Sequence, residues 1–206
     1  MSQVSPQARE FANRLAELAP DPRSPRDSGN RAALAALRRG LGKSLGEDFE
    51  AYRYVGRILV ASRRQDEEAR YLVATLFALH PVSWTDDPAA PRRTNLGASF
   101  RVLASQTEAE RADSRSIERR FVALLNCHAD DLATHLRHAV SLLKSQNVPI
   151  DWAQLLEDVR GWSRWGERIR SEWARAYWGA AEIADGATPD TPSGDEQDNG
   201  DNRNVN

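Results

Sequence analysis

Five of the chain's six tryptophans fall within 27 residues, Trp152 to Trp178, and they are spaced as a helix spaces them. At 100° per residue, Leu155, Val159, Trp162, Gly166, Ile169, Trp173 and Tyr177 share one stripe, while Arg160, Arg164, Arg168 and Arg175 fall opposite. A stripe this bulky must be covered by other elements. It therefore predicts a long core helix with helical neighbours, and Gly166 on the buried side implies close approach by one of them. Glu157, Glu167 and Glu172 lie among the arginines, which reads as a solvated face of mixed charge.

The same 3.6-residue spacing recurs from end to end, and the alternation of half-buried strands does not appear. Phe11, Leu15 and Leu18 start the pattern, and Pro20, Pro22 and Pro25 stop it. Leu34, Leu37 and Leu41 resume it behind Asp27 and Ser28, both suited to an N-cap, until the glycines at 40, 42 and 46 intervene. Tyr52, Val55 and Leu59 predict a third helix. Leu72, Val73, Leu76 and Leu79 predict a fourth, entered near Asp66 and closed by Pro81.

Residues 81–95 carry Pro81, Pro88 and Pro91 with Asp86 and Asp87, the composition of a linker. Helices follow at 98–104, 116–125 and 130–146. Asp151, three residues before Gln154, has capping-box spacing and opens a last helix that runs to about Ala181, with kinks expected at Gly161 and Gly166. The expected fold class is all-α: an N-terminal helical bundle domain over 1–95 with its linker at 81–95, a C-terminal one over 96–184, and an acidic tail over 185–206. The tail's Gly, Pro, Asp, Asn and Thr content cannot repay the entropy of ordering, so it is expected to be disordered.

Charge is divided unevenly along the chain. Residues 182–206 hold seven acids against Arg203, so the formal net charge of −2 hides a body with 27 basic and 23 acidic residues. Such a body permits a nucleic-acid partner without requiring one. The lone Cys127 cannot form an intramolecular disulfide, no leader-like segment is visible, and no apolar run approaches the roughly 20 residues that span a bilayer. These features predict a cytoplasmic protein with no membrane partner.

No catalytic constellation emerges. Cys127 and His128 are sequence neighbours and would point about 100° apart on a helix, so Cys127 reads as a small buried residue. His128, Asp131, His135 and His138 would span about 80° on one continuous helix and could seat a metal, but His128 can equally precede the helix, and no second thiolate or distant carboxylate cluster accompanies them. The chain carries no glycine-rich phosphate loop and no Gly-x-Ser-x-Gly. Catalytic residues, metal and cofactor are therefore all expected to be absent.

Three helices do present basic edges. Ile117, Phe121, Leu124 and Leu125 cluster, leaving Arg119 opposite and Arg120 on the flank. Arg137 and Lys144, seven residues apart, lie about 20° apart beside Leu136 and Leu143. Arg31 and Arg38 repeat that relation beside Leu34 and Leu37, with Arg39 adjacent. Each edge alone fits snorkelling side chains as well as a ligand site.

Taken in order, Asn95-Leu96-Gly97, Ile117-Glu118-Arg119-Arg120-Phe121 with Leu124-Leu125, Leu136-Arg137, Leu142-Leu143-Lys144, Asp151-Trp152 with Leu155-Leu156, and Trp173-Ala174 with Tyr177-Trp178 carry a resemblance. Over about residues 28–180 the chain resembles CasB, the small subunit of the type I-E Cascade CRISPR surveillance complex. The resemblance implies an all-helical, two-domain protein without enzymatic activity, paired head to tail with a second copy. Its implied partners are other Cascade subunits, guide RNA and target DNA, whose backbone such subunits contact to stabilise the R-loop. A part whose sequence reading is delegated to base pairing needs only backbone contacts.

By position, Arg38, Arg119, Arg120, Arg137 and Arg164 match basic positions of that family, and Arg31, Arg39 and Lys144 join them on helical geometry. Arg38, Arg119, Arg120 and Arg137 are expected on one phosphate-tracking surface. Trp84 and Trp165 lie off the core stripe and are the aromatics free to stack on bases. The alternative is a structural protein–protein interaction subunit whose basic edges meet acidic protein surfaces.

Overall fold

The computed structural model describes residues 4–20, 26–47, 49–59, 63–84, 94–106 and 111–179. They form α1 (Pro6–Ala16), α2 (Asp27–Arg39), α3 (Phe49–Leu59), α4 (Arg64–Leu79), α5 (Leu96–Gln106), α6 (Arg111–Leu125), α7 (Leu132–Ser145) and α8 (Trp152–Trp178), with 3-10 turns at Leu45–Glu47 and Ala129–Asp131. No strand occurs among the described residues, where Ser83 and Ile150 make one isolated parallel bridge. The architecture is thus all-α, as the spacing predicts. Pro22, Pro25, residues 85–93 of the Pro-rich stretch and the acidic tail lie outside the described residues.

The tryptophan-bearing helix is the post around which the others pack. α8 lies against α1, α4 and α5, and its stripe is covered: Leu155, Trp162, Ile169 and Trp173 are all buried. Trp162 and Trp173 pack ring on ring at 5.2 Å, and Trp152 meets Phe77 of α4 edge to face at 5.5 Å. Burying one large apolar side chain contributes about 1.5–3 kcal/mol, whereas an exposed ion pair contributes about 0–1 kcal/mol. The stripe therefore outweighs the charged face in fixing α8. The apolar cluster continues from Phe11 and Leu15 through Leu37 and Leu76 to Phe100, Phe121 and Leu143.

The helix ends follow local chemistry, with two departures from expectation. Asp151 caps α8 by accepting from the Gln154 amide at 2.9 Å, yet Gln154 does not return the bond as a capping box would. Its Nε2 donates to Asp158 instead, at 2.8 Å. Asp27 lies inside α2 rather than capping it, because Arg31 one turn on draws its carboxylate into a 2.8 Å ion pair. α7 closes with a Schellman turn: Asn147 takes φ 53°, and the Val148 amide reaches back to the Leu143 carbonyl at 3.0 Å.

That turn stitches the halves of the chain together. The Val148 carbonyl bonds His80 Nε2 at 2.7 Å, the Ile150 amide donates to Val82, and Trp152 Nε1 donates to the same Val82 carbonyl at 3.1 Å. Trp84 is held here as well. Its amide donates to Ile150 and its ring Nε1 to Ser99 at 3.4 Å, so this half-buried ring packs inward.

α8 breaks helical geometry at Trp165 (φ −127°, ψ 21°), between the two glycines expected to kink it. Gly166 is not a close-packing site, since a Cβ there would meet only the guanidinium of Arg170, on its own helix, at 3.8 Å. The close approach belongs to Gly97. A Cβ on that residue of α5 would lie 2.0 Å from the backbone oxygen of Trp173. Asn95 completes the junction by capping α5 through the Ala98 amide at 3.1 Å and donating to the Glu172 carbonyl of α8 at 3.2 Å.

Candidate nucleic-acid interface

The eight cations singled out from the sequence fall into two groups once their partners are known. Arg31 is paired with Asp27, and Arg39 with Glu50 at 2.8 Å. Arg38 donates its Nε to the Ala78 carbonyl at 2.5 Å, satisfying an oxygen in the last turn of α4 that has no partner within its own helix. Arg164 lies 5.0 Å above the ring of Trp165, which is 55% exposed beside the kink. Arg119, Arg120, Arg137 and Lys144 are different. All four are exposed, and no acidic side chain of the described residues pairs with them.

Helical geometry sets where those four point. On α7, Arg137, Ser141 and Lys144 recur at three- and four-residue intervals and so share one exposed face. Arg120 of α6 overlooks that face and shares a depression with His138, Ser141 and Ser145. His138 and Arg137 also border a groove with Gly42, Lys43 and Ser44. Lys43 gets there because Gly42 turns the chain with φ +83°, a conformation that side chains disfavour, and Arg137 Nη1 would sit 3.6 Å from any Cβ added to it. His138 thus lies between two depressions, one bordered by Arg120 and the other by Arg137 and Lys43, with Lys144 on the Arg137 face of α7. Arg119 turns to the other side of α6, onto a ridge with Arg115, Glu118 and Val122.

Periodicity does not single out Lys43 or Arg115, which lie outside the repeating patterns, and it marks His138 only as a metal ligand. The co-ligand that such a site would need, His128, precedes α7 in extended conformation, facing Asp130 at 3.9 Å, so the four candidate groups do not share a continuous helix. Among the described residues no group of three or more His, Cys, Asp or Glu is gathered to hold a metal ion. Cys127 is buried, and burial pushes its thiol up from the ordinary value. No described helix is long and apolar enough to cross a membrane.

The mixed-charge face of α8 is more structural than its sequence implied. Arg160 pairs with Asp66 of α4 at 2.8 Å and with Glu157 at 3.6 Å, tying two helices together, and Arg168 pairs with Glu172 at 2.9 Å. Paired cations of this kind cannot bind phosphate without breaking an existing contact. The α6–α7 face, lacking such contacts among the described residues, offers fixed positive charge to a polyanion.

Comparisons with known proteins agree with this architecture. The family profile described as CRISPR-associated protein Cse2 matches residues 33–178. The CRISPR-associated protein Cse2 of Thermus thermophilus is 36% identical over 155 residues, covering 72% of this chain and 80% of that protein. A crystal structure of a Cse2-family protein from the same organism superposes with a TM-score of 0.62 at 32% identity, over 85% of this chain and 99% of that one. A chain of a CRISPR RNA-guided surveillance complex does so with a TM-score of 0.61 at 25% identity, over 87% and 98%. The profile match and the relative's identity establish that this chain belongs to the Cse2 family of CRISPR-associated proteins.

Proposed function

We propose that this chain is a non-catalytic small subunit of an RNA-guided CRISPR surveillance complex of the Cascade type, working in the cytoplasm beside a second copy of itself. In that role its α6–α7 face holds nucleic-acid backbone and stabilises the R-loop while guide RNA pairs with target DNA. The carrying observation is the contrast in pairing: Arg120, Arg137 and Lys144 are exposed on the adjoining helices α6 and α7 without acidic partners among the described residues, whereas most other candidate cations are engaged. Forked N–H donors on such a face track phosphates without a base code. Arg119 extends the charge onto the far side of α6. Arg31, Arg38, Arg39 and Arg164 contribute field more than direct contacts, since each already has a partner.

The reading as a protein-interaction subunit draws support from α3, where Phe49 (78% exposed) and Tyr52 lie one turn apart on an open face. That face lies on α3 and the cationic one on α6 and α7, so the two readings differ in what α6–α7 touches. Salt decides between them. Each phosphate contact contributes about 0.9 to the slope of log affinity against log salt on duplex DNA and about 0.7 on a single strand. In the assembled complex, Arg120→Ala with Arg137→Ala is expected to weaken target-DNA binding and flatten that slope by about 1.4 to 1.8. The loss should be similar for unrelated target sequences. A double variant that assembles and binds with wild-type affinity and slope would hand the α6–α7 face to a protein partner.

A further inference from the structure

The acidic tail lies beyond the body that the family shares, since the family profile ends at residue 178 and 85% of this chain already covers 99% of the Thermus structure. The fold nevertheless delivers that tail to a definite place. Trp178 Nε1 donates to Glu118 Oε1 at 3.2 Å and its ring lies 5.6 Å from that of Phe121, pinning the end of α8 on the outer side of α6. Gly179 then bonds back to the Arg175 carbonyl at 2.9 Å. Arg115, Arg119 and Arg175 are exposed around this exit and have no acidic partner among the described residues. Glu118 on the same ridge already accepts from Trp178.

Residues 180–206 carry seven acids and a single basic residue, Arg203. Twenty-seven residues span at most about 89–97 Å, and the 15 residues of α6 extend about 22 Å. The length of chain after Gly179 is therefore sufficient for the whole ridge. Tethering sets its local concentration in the millimolar range, where even weak charge pairing gives substantial occupancy.

We propose that the acidic tail is an intramolecular occupant of the Arg115–Arg119 ridge and competes there with nucleic-acid phosphate. The competition rests on the nucleic-acid role proposed above, while the occupancy does not. A tail of this kind lowers the affinity of every polyanion that needs the ridge by the same factor, set by the fraction of time the ridge is vacant, and leaves a ligand that binds elsewhere unaffected. It acts through screened charge, and its effect fades over the salt range in which the Debye length falls from about 10 Å to about 3 Å.

The test uses the full-length chain and a variant of equal length with the seven tail acids exchanged for their amides. In the ¹⁵N-labelled proteins, the side-chain Nε–Hε resonances of Arg115 and Arg119 are expected to differ between the two at about 0.1 M salt and to coincide near 1 M. In the assembled complex the neutralised tail is expected to tighten DNA binding by about two- to fivefold at low salt, and Arg115→Ala with Arg119→Ala is expected to abolish that gain. Superimposable resonances at low salt overturn the occupancy, even if the Arg120 and Arg137 substitutions still weaken DNA binding. Resonances that differ, in a complex whose DNA affinity ignores every one of these arginines, uphold the occupancy and instead overturn the nucleic-acid role.

Discussion

Gly97→Ala is expected to lower the melting temperature by about 4–8 °C. The added methyl would meet the Trp173 backbone at 2.0 Å from oxygen, 2.7 Å from carbon and 2.9 Å from Cα, and none of these atoms can move without α8. Overpacking of this kind costs about 1–3 kcal/mol, occasionally more. A backbone obstacle places this case at the upper end, so the gain of about 1 kcal/mol from replacing a helical glycine does not cancel it. At about 2–4 °C per kcal/mol for a chain of this size, the balance gives the stated fall.

Moving the helices apart also stretches the Asn95–Glu172 hydrogen bond, so relaxation brings a further loss. Gly29→Ala in α2 is the matched control. It has open space within 4 Å, and there the propensity gain should act alone and raise the melting temperature. A Gly97→Ala protein that melts with the wild type would mean that α5 and α8 do not cross at this distance.

This junction also shows what one dimension of sequence can carry. The stripe from Leu155 to Tyr177 is legible because a helix repeats its environment every 3.6 residues, and burial of Trp162, Ile169 and Trp173 follows from periodicity alone. The partner of a small residue has no such period. Gly166 sits on the stripe and implies a crossing, while Gly97 sits in a short helix, and only the packing of α5 on α8 distinguishes them. Trp84 illustrates the same gap. Its Pro-rich surroundings suggest an open loop, yet pairing with Ile150 and Ser99, 66 and 15 residues away, turns it inward.

For the candidate interface, the sequence reveals cations but not their partners. Arg31 and Arg137 look alike in a helical projection, each beside a leucine stripe and seven residues from another cation. Asp27 neutralises the first, and no described acid neutralises the second. Family position groups Arg38 with the α6 arginines, but the last turn of α4 needs a donor and takes it. Lys43 is within reach of sequence reasoning, since glycines at 40 and 42 signal a turn that exposes the residue between them and the next helix.

The contribution of Asp158 to stability should fall as pH rises from about 4 to about 7, and Asp158→Asn should remove that fall. Asp158 is 4% exposed, and its carboxyl accepts from Trp173 Nε1 at 2.7 Å and from Gln154 Nε2 at 2.8 Å. Burial pushes it up to about 7, and the nearby Glu172 and Asp151 add to the rise, against the lowering effect of those two donors. An unfolded Asp titrates near 3.9. Between these values the native state holds a proton that the unfolded chain has lost, so the contribution is complete below about pH 4 and disappears as pH passes about 7.

His80 acts in the opposite sense. Burial lowers its pKa, and Lys144 lowers it further against the Val148 hydrogen bond, so its contribution is lost as pH falls below the ordinary imidazole value. The raw stability profile mixes the two groups, and the difference between wild type and Asp158→Asn separates them. Asn keeps one acceptor for Trp173, and Gln154 can turn its amide to accept from the new NH₂, so the variant should fold. The difference should then change in favour of Asn by up to about 1.4 kcal/mol per pH unit across the window. Asp158→Ala, which leaves the buried Trp173 donor unpaired, is expected to cost about 1–3 kcal/mol. Parallel denaturation profiles for wild type and Asp158→Asn from pH 4 to pH 8 would show that Asp158 is ionised in the fold, and Trp173 would then be held by a charge where a neutral acid is expected.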